Sequence, residues 1–161
     1  MLHRRLPRMD LPNTTYFACA TTSGHRAWFA NPDRSELLCR LICAERGQSI
    51  LLHAFSVMPT HYHLLVTLLG DHRLPRVVQK INSLSARQIN AAVGREGRLW
   101  ANRFYDHGIR GDADFYACAD YIHDNPRASG LAAVPADYPY SSAAFWDTGR
   151  CRWGEFDPMW P

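Results

Sequence analysis

The chain has 161 residues, 47% hydrophobic and 20% charged, enough for one domain with a real core and too few for a β/α barrel of about 250 residues. No stretch approaches the ~20 apolar residues of a membrane span, and the arginines of the first ten residues have no apolar run behind them, which excludes a secretory-signal pattern and predicts a cytoplasmic protein. The net charge of +3 hides an asymmetry: residues 1–111 hold 15 Lys and Arg against seven acidic residues, and residues 112–161 hold three against eight, so a polyanion would lie on the first part.

A basic, proline-punctuated arm (1–13) with Arg4, Arg5 and Arg8 precedes a first strand predicted over residues 14–21, rich in β-branched and aromatic side chains. Asn31-Pro32-Asp33 opens a helix in which Leu37, Leu38, Leu41 and Ile42 recur at helical spacing and which ends near Gly47. Residues 49–57 and 61–68 read as two strands joined by Met58-Pro59-Thr60, a link so short that it demands an antiparallel hairpin. A second helix is predicted over residues 73–92, where Leu74, Val77, Val78, Ile81, Leu84 and Ile89 make an apolar stripe and Arg73, Arg76, Lys80 and Arg87 decorate other faces.

Residues 103–110 read as a fourth strand. A further helix is predicted from Ala113 to about Asp124, cut off by Asn125-Pro126 because the residue before proline disfavours the helical region. The order βαββαβ is the ferredoxin-like (RRM-like) α+β arrangement, an antiparallel sheet with two helices on one face, here with an additional C-terminal helix. Five cysteines, odd in number and without a Cys-x-x-Cys pair, predict free thiols rather than a disulfide framework. The domain is expected over residues 14–142, followed by a tail (143–161) whose Trp146, Trp153, Phe156 and Trp160 are too aromatic for a linker and suit covering the core or binding a partner.

The chemistry concentrates at His61-Tyr62-His63. In a strand, residues two apart share one face about 7 Å apart, within reach of a single metal ion. An isolated His-x-His is more often a hydrogen-bonded pair than a metal site, so context has to decide. Tyr121 and Asn125, four apart on a helix, also share a face, although each alone reads as a packing tyrosine and a helix stop.

Taken together, Val57-Met58-Pro59-Thr60-His61-Tyr62-His63-Leu64-Leu65-Val66, the run Leu99 to Arg110, Tyr121-Ile122-His123-Asp124-Asn125-Pro126 and Asp137-Tyr138-Pro139-Tyr140-Ser141-Ser142 resemble the REP-associated tyrosine transposases. These are single-tyrosine HUH transposases that act on single-stranded DNA, and the resemblance spans roughly Thr15 to Ser142. It implies that His61 and His63 bind a divalent cation, Mg²⁺ or Mn²⁺, with Asn125 completing the shell, and that Tyr121 is the nucleophile forming a 5′-phosphotyrosine. It further implies a DNA partner, hairpin and single-stranded, with cleavage beside the hairpin and rejoining, in a nucleoid-associated monomer or homodimer. Thr60, Ala101 and Arg127 depart from the family pattern without touching the carried-over positions.

Arg4, Arg5, Arg8, Arg76, Lys80, Arg87, Arg103 and Arg110 are the candidate nucleic-acid contacts. His53, His107 and His123 are read as structural or surface residues, with His107 able to approach the site from the fourth strand. Two other readings stay open: a hairpin-DNA-binding module with a decayed active site, and an unrelated metal-dependent hydrolase using the histidine pair.

Overall fold

Strands β1 (Thr15–Thr21), β2 (Ile50–Met58), β3 (His61–Leu68) and β4 (Tyr105–Gly108), with helices α1 (Pro32–Ala44) and α2 (Leu74–Val93), realise the βαββαβ order in a computed structural model that describes residues 11–161. Arg4, Arg5 and Arg8 therefore lie outside the described residues. The four-stranded sheet has the order β2-β3-β1-β4, antiparallel throughout, which is the predicted ferredoxin-like arrangement. The β2–β3 hairpin turns through Pro59-Thr60 with Met58 opposite His61. Its carbonyls do not dangle: Thr60 O accepts from Thr22 N–H at 2.9 Å and Pro59 O from Phe29 N–H at 3.0 Å.

The two faces of the sheet are covered differently. Tyr16, Ala18, Tyr62, Leu64 and Val66 pack against α1 and α2 in the larger core, while Phe17, Ala54 and Leu65 pack against Phe115, Ala119 and Ile122 of helix α3 (Asp112–Ala128). Alternation along β3 thus sends its even positions into the larger core and its odd ones, His61 and His63 among them, toward α3. Tyr62 pins this register: its ring is fully buried edge-on to Trp100 at 5.1 Å and its hydroxyl donates to Asn82 Oδ1 at 2.8 Å. Trp100 is in turn held by an indole N–H bond to Ser85 Oγ at 2.9 Å.

Helix α3 corrects one expectation, because it runs through Asn125-Pro126 to Ala128 instead of stopping before them. Pro126 removes one donor in the last turn, but its ring is buried, and Ser129 N–H to Asn125 O and Leu131 N–H to Pro126 O keep the turn closed. Strand β4 is also shorter than the predicted 103–110.

Strand β2 carries a bulge between Leu52 and Ala54 that the alternation of side chains did not announce. The extra residue is His53, and the bulge changes which parity of β2 faces α3, so that Phe55 and Val57 enter the larger core and Ser56 stands opposite His63. Buried His53 lies between Asp157 O, 2.6 Å from Nδ1, and Thr67 Oγ1, 2.7 Å from Nε2. A carbonyl only accepts, so Nδ1 carries the proton. In the neutral ring Nε2 accepts from Thr67, and Thr15 Oγ1, 2.6 Å from Thr67 Oγ1, donates in its turn.

The last part of the chain covers the β2 edge of the sheet. Val57 N–H donates to Tyr140 O, Ser142 N–H to Phe55 O, and Ser56 bridges to Ser141. Helix α4 (Ala143–Thr148) then carries Trp146, whose indole N–H donates to His53 O at 2.8 Å, and Phe156 is buried in the larger core. The edge that would otherwise offer free backbone donors and acceptors is closed in this way.

His53→Ala leaves the Thr67 hydroxyl and the Asp157 carbonyl without their partner and opens a cavity. It is expected to cost about 3 kcal/mol of unfolding free energy in urea titration, whereas Thr15→Val, at the far end of the relay, should cost less than about 1.5 kcal/mol.

Candidate active site

The site is assembled from β3 and α3, with β1 between and beneath them. His61 and His63 have ring centroids 4.7 Å apart at 76°, and the ring of Tyr121, one turn before Asn125 on α3, lies 5.4 Å from His63 at 75°. Phe17 forms the floor, tilted against His63 at 5.5 Å and edge-on to Tyr121 at 5.9 Å. Tyr121 is 54% exposed while His63 is only 3% exposed; the phenol meets solvent and the imidazole does not.

The polar atoms around His63 are conspicuous for what they lack. Both of its ring nitrogens, Asn125 Oδ1 and Ser56 Oγ are buried without a hydrogen-bond partner. Buried polar atoms are ordinarily paired, and leaving one unpaired costs about 1–3 kcal/mol. Four such atoms from three elements converge here, since Ser56 is the cross-strand partner of His63 and Asn125 comes from α3.

Burial pushes the His63 imidazole down to about 3, with the neighbouring His61 adding to the effect. His61 is lowered as well, chiefly by burial, and the Asn125 amide opposes the shift on both rings although its oxygen makes no hydrogen bond to either. The shift holds His63 neutral and favours the neutral form of His61, the protonation state in which imidazole is a ligand. Thr60 Oγ1 lies 3.0 Å from His61 Nδ1. With Nδ1–H donating to that hydroxyl, Nε2 keeps its lone pair free.

A cavity of about 490 Å³ opens beside these rings, between α3 and the β1–β4 edge, lined by Phe17, Cys19, His63, Tyr105, His107, Ala117, Cys118 and Tyr121. His107, Asp114 and Cys118 bring their ligand atoms within 4.8 Å of one another on its far side. His107 therefore does approach the site from the fourth strand, but it is turned to Asp114, whose Oδ2 lies 2.8 Å from Nε2 and also accepts from Arg110 N–H. Partial burial works against the Asp114 carboxylate, yet these bonds hold it below the ordinary carboxylate range.

The candidate basic residues separate. Arg103 and Arg110 are exposed, flanking β4 in the chain, whereas Arg76, Lys80 and Arg87 lie on α2, across the sheet from the histidines. Lys80 is engaged with Glu45, its Nζ 2.6 Å from Oε1, at the end of α1. Sequence reasoning missed Ser56 and Tyr105. Ser56 follows from the hairpin register, 58 opposite 61 and so 56 opposite 63; Tyr105 had no comparable signal, since its place depends on how β4 pairs with β1.

Over residues 12–125 the chain matches the family described as Transposase IS200 like, and it belongs to this family. Among its relatives are proteins named as REP-associated tyrosine transposases. One, of Haemophilus influenzae, is 33% identical over 99 residues, 55% of this chain and 56% of that protein. Another, of Escherichia coli, is 27% identical over 136 residues, 84% and 79% of the two chains. The chain thus matches little more than half the length of the first. A solved structure, described as a REP-associated tyrosine transposase bound to a REP hairpin, superposes with a TM-score of 0.73 and 25% identity over 97% of this chain and 90% of that one. No helix among the described residues is long and apolar enough to cross a membrane.

The unpaired imidazole makes a stability prediction. His63→Phe replaces two buried unsatisfied nitrogens by a ring of similar shape and should stabilise the protein in chelator by about 1–2 kcal/mol in denaturant titration. Because the His63 pKa is depressed, its unfolded form binds a proton that the folded form refuses. Wild-type stability should therefore fall as pH drops from the ordinary histidine range toward about 3, and the variant should lack that share of the loss.

Proposed function

We propose that the chain is a metal-dependent transposase-type endonuclease that binds a DNA hairpin of the REP kind, cleaves adjacent single-stranded DNA through Tyr121 and rejoins the ends. The observation that carries this reading is the set of buried, unpartnered donors, His63 and Asn125 Oδ1, gathered beside an exposed tyrosine. The names of the relatives, and the hairpin bound by the structural neighbour, support the DNA substrate.

The donor set fits a divalent cation: His61, His63 and Asn125 Oδ1 would hold it, two neutral imidazoles and an amide oxygen that no other group satisfies. Such a mixed nitrogen and oxygen set suits Mn²⁺ better than Mg²⁺. When bound, the cation withdraws charge from the scissile phosphate and lowers the cost of ionising a nearby phenol.

The chain's own residues do the rest. Tyr121 Oη, on the solvent side of the His63 ring, attacks phosphorus, and its proton leaves to water. The bond from phosphorus to the 3′ oxygen breaks, that oxygen takes up a proton, and the 5′ phosphate remains on Tyr121. Phe17 supports the phenol edge-on and limits its swing. Because the phosphotyrosine is still a phosphodiester, a second 3′-OH reverses the reaction at the same site without a nucleotide cofactor.

Tyr121→Phe is expected to retain hairpin binding within about twofold and to abolish the covalent protein–DNA adduct on denaturing gels; an adduct that survives rejects Tyr121 as nucleophile. Binding without an adduct in the wild type, under any divalent cation, would instead leave a hairpin-binding module.

Mn²⁺ at a hundred times its Kd should stabilise the wild type by about 2.7 kcal/mol, and His61→Ala should remove that gain together with cleavage. Since His63 resists protonation and His61 is shifted in the same direction, this binding should weaken less between about pH 7 and about pH 6 than that of an ordinary histidine pair. Cleavage undiminished in chelator would reject the metal.

A further inference from the structure

Tyr105 of β4 and Tyr121 of α3 stand on either side of Phe17 in nearly mirrored fashion. Their rings lie 6.0 Å and 5.9 Å from it, at 68° and 67°, and both are about half exposed, at 52% and 54%. Two phenols upright on one aromatic floor leave a slot between them, and this slot is the cavity of about 490 Å³ that opens beside His63. Half-exposed aromatic faces around a concave apolar space are costly to hydrate and cheap to stack upon.

One rim of the slot is polar. His107, cross-strand neighbour of Phe17, donates Nε2–H to Asp114, which leaves Nδ1 with no partner among the described residues, and Cys118 lies beside it. Arg103 and Arg110 are exposed and flank β4 in the chain, so a chain of phosphates running along this strand would pass positive charge before and after it.

We infer that the slot between Tyr105 and Tyr121 receives a single unpaired nucleobase, that of a nucleotide beside the phosphate presented to Tyr121, with Tyr105 as its stacking platform. The inference rests on the nucleic-acid reading of the site and assigns it a subsite. A flat aromatic heterocycle fits the apolar walls, any base offers a π face, and the polar rim can meet a base edge. Seating that base next to His63 would hold the flanking phosphate against the Tyr121 hydroxyl, so the slot would position the backbone as well as bind it.

The test uses a hairpin oligonucleotide copied from a palindrome beside the gene, with unpaired arms, in which 2-aminopurine replaces each unpaired base in turn. Fluorescence should be quenched on binding at one position. Tyr105→Ala should remove that quench and weaken binding about tenfold, and Tyr105→Phe, which keeps the ring, should restore both. An abasic site at the same position should weaken the wild type by a similar factor and weaken Tyr105→Ala no further.

No quenched position, or effects of Tyr105→Ala and the abasic site that multiply, would overturn the slot. If the Tyr121 adduct forms and no position is quenched, the slot falls and the endonuclease stands. If one position is quenched through Tyr105 and no adduct forms, the slot stands and the catalytic reading falls.

Discussion

The structure depends on the register of β3. Its neighbours on both sides are strands, and its alternation sends Tyr62, Leu64 and Val66 into the larger core while His61, His63 and Leu65 face α3. A slip of one residue would drive the imidazoles into the larger core and turn Tyr62 toward α3. The buried Tyr62 ring against Trp100 and its hydroxyl on Asn82 oppose that slip, and the Pro59-Thr60 turn fixes the pairing from the other end. Three ordinary packing interactions thus hold two imidazoles where burial favours their neutral form.

The site is destabilising in its own terms. Buried nitrogens and oxygens without partners weaken the folded state, and they persist because the layers around them are over-determined: Leu65, Phe17 and Ala54 below, Phe115, Ala119 and Ile122 of α3 above. The closure of the β2 edge by residues 140–142 and the burial of Phe156 add to this support. Local costs of this kind are offset elsewhere in the fold.

Much of this was legible in the chain. The hairpin, the His61/His63 face and the apolar stripe of α2 follow from periods of two and 3.6, which depend only on backbone geometry. The bulge at His53 was not legible, because it answers to Thr67 and Asp157, partners far along the chain. Nor was the continuation of α3 past Asn125-Pro126: the local steric preference before proline argued for a stop, and burial of the Pro126 ring outweighed it. Charge was the least legible signal of all. Lys80 and Arg103 look alike in sequence, yet one is paired with Glu45 behind the sheet and the other is exposed beside β4.

By itself the sequence determined that His61, His63, Tyr121 and Asn125 could carry chemistry and which of them share a face of their own element, since alternation and helical period are properties of a single strand or helix. Only the tertiary structure decided which faces meet. It brought α3 over the β1–β3 surface, set Asn125 beside His63, left Asn125 Oδ1 and the His63 nitrogens without hydrogen-bond partners and raised Tyr105 opposite Tyr121. The physical reason is that pairing, burial and desolvation are relations between elements distant in the chain, and no local pattern encodes them.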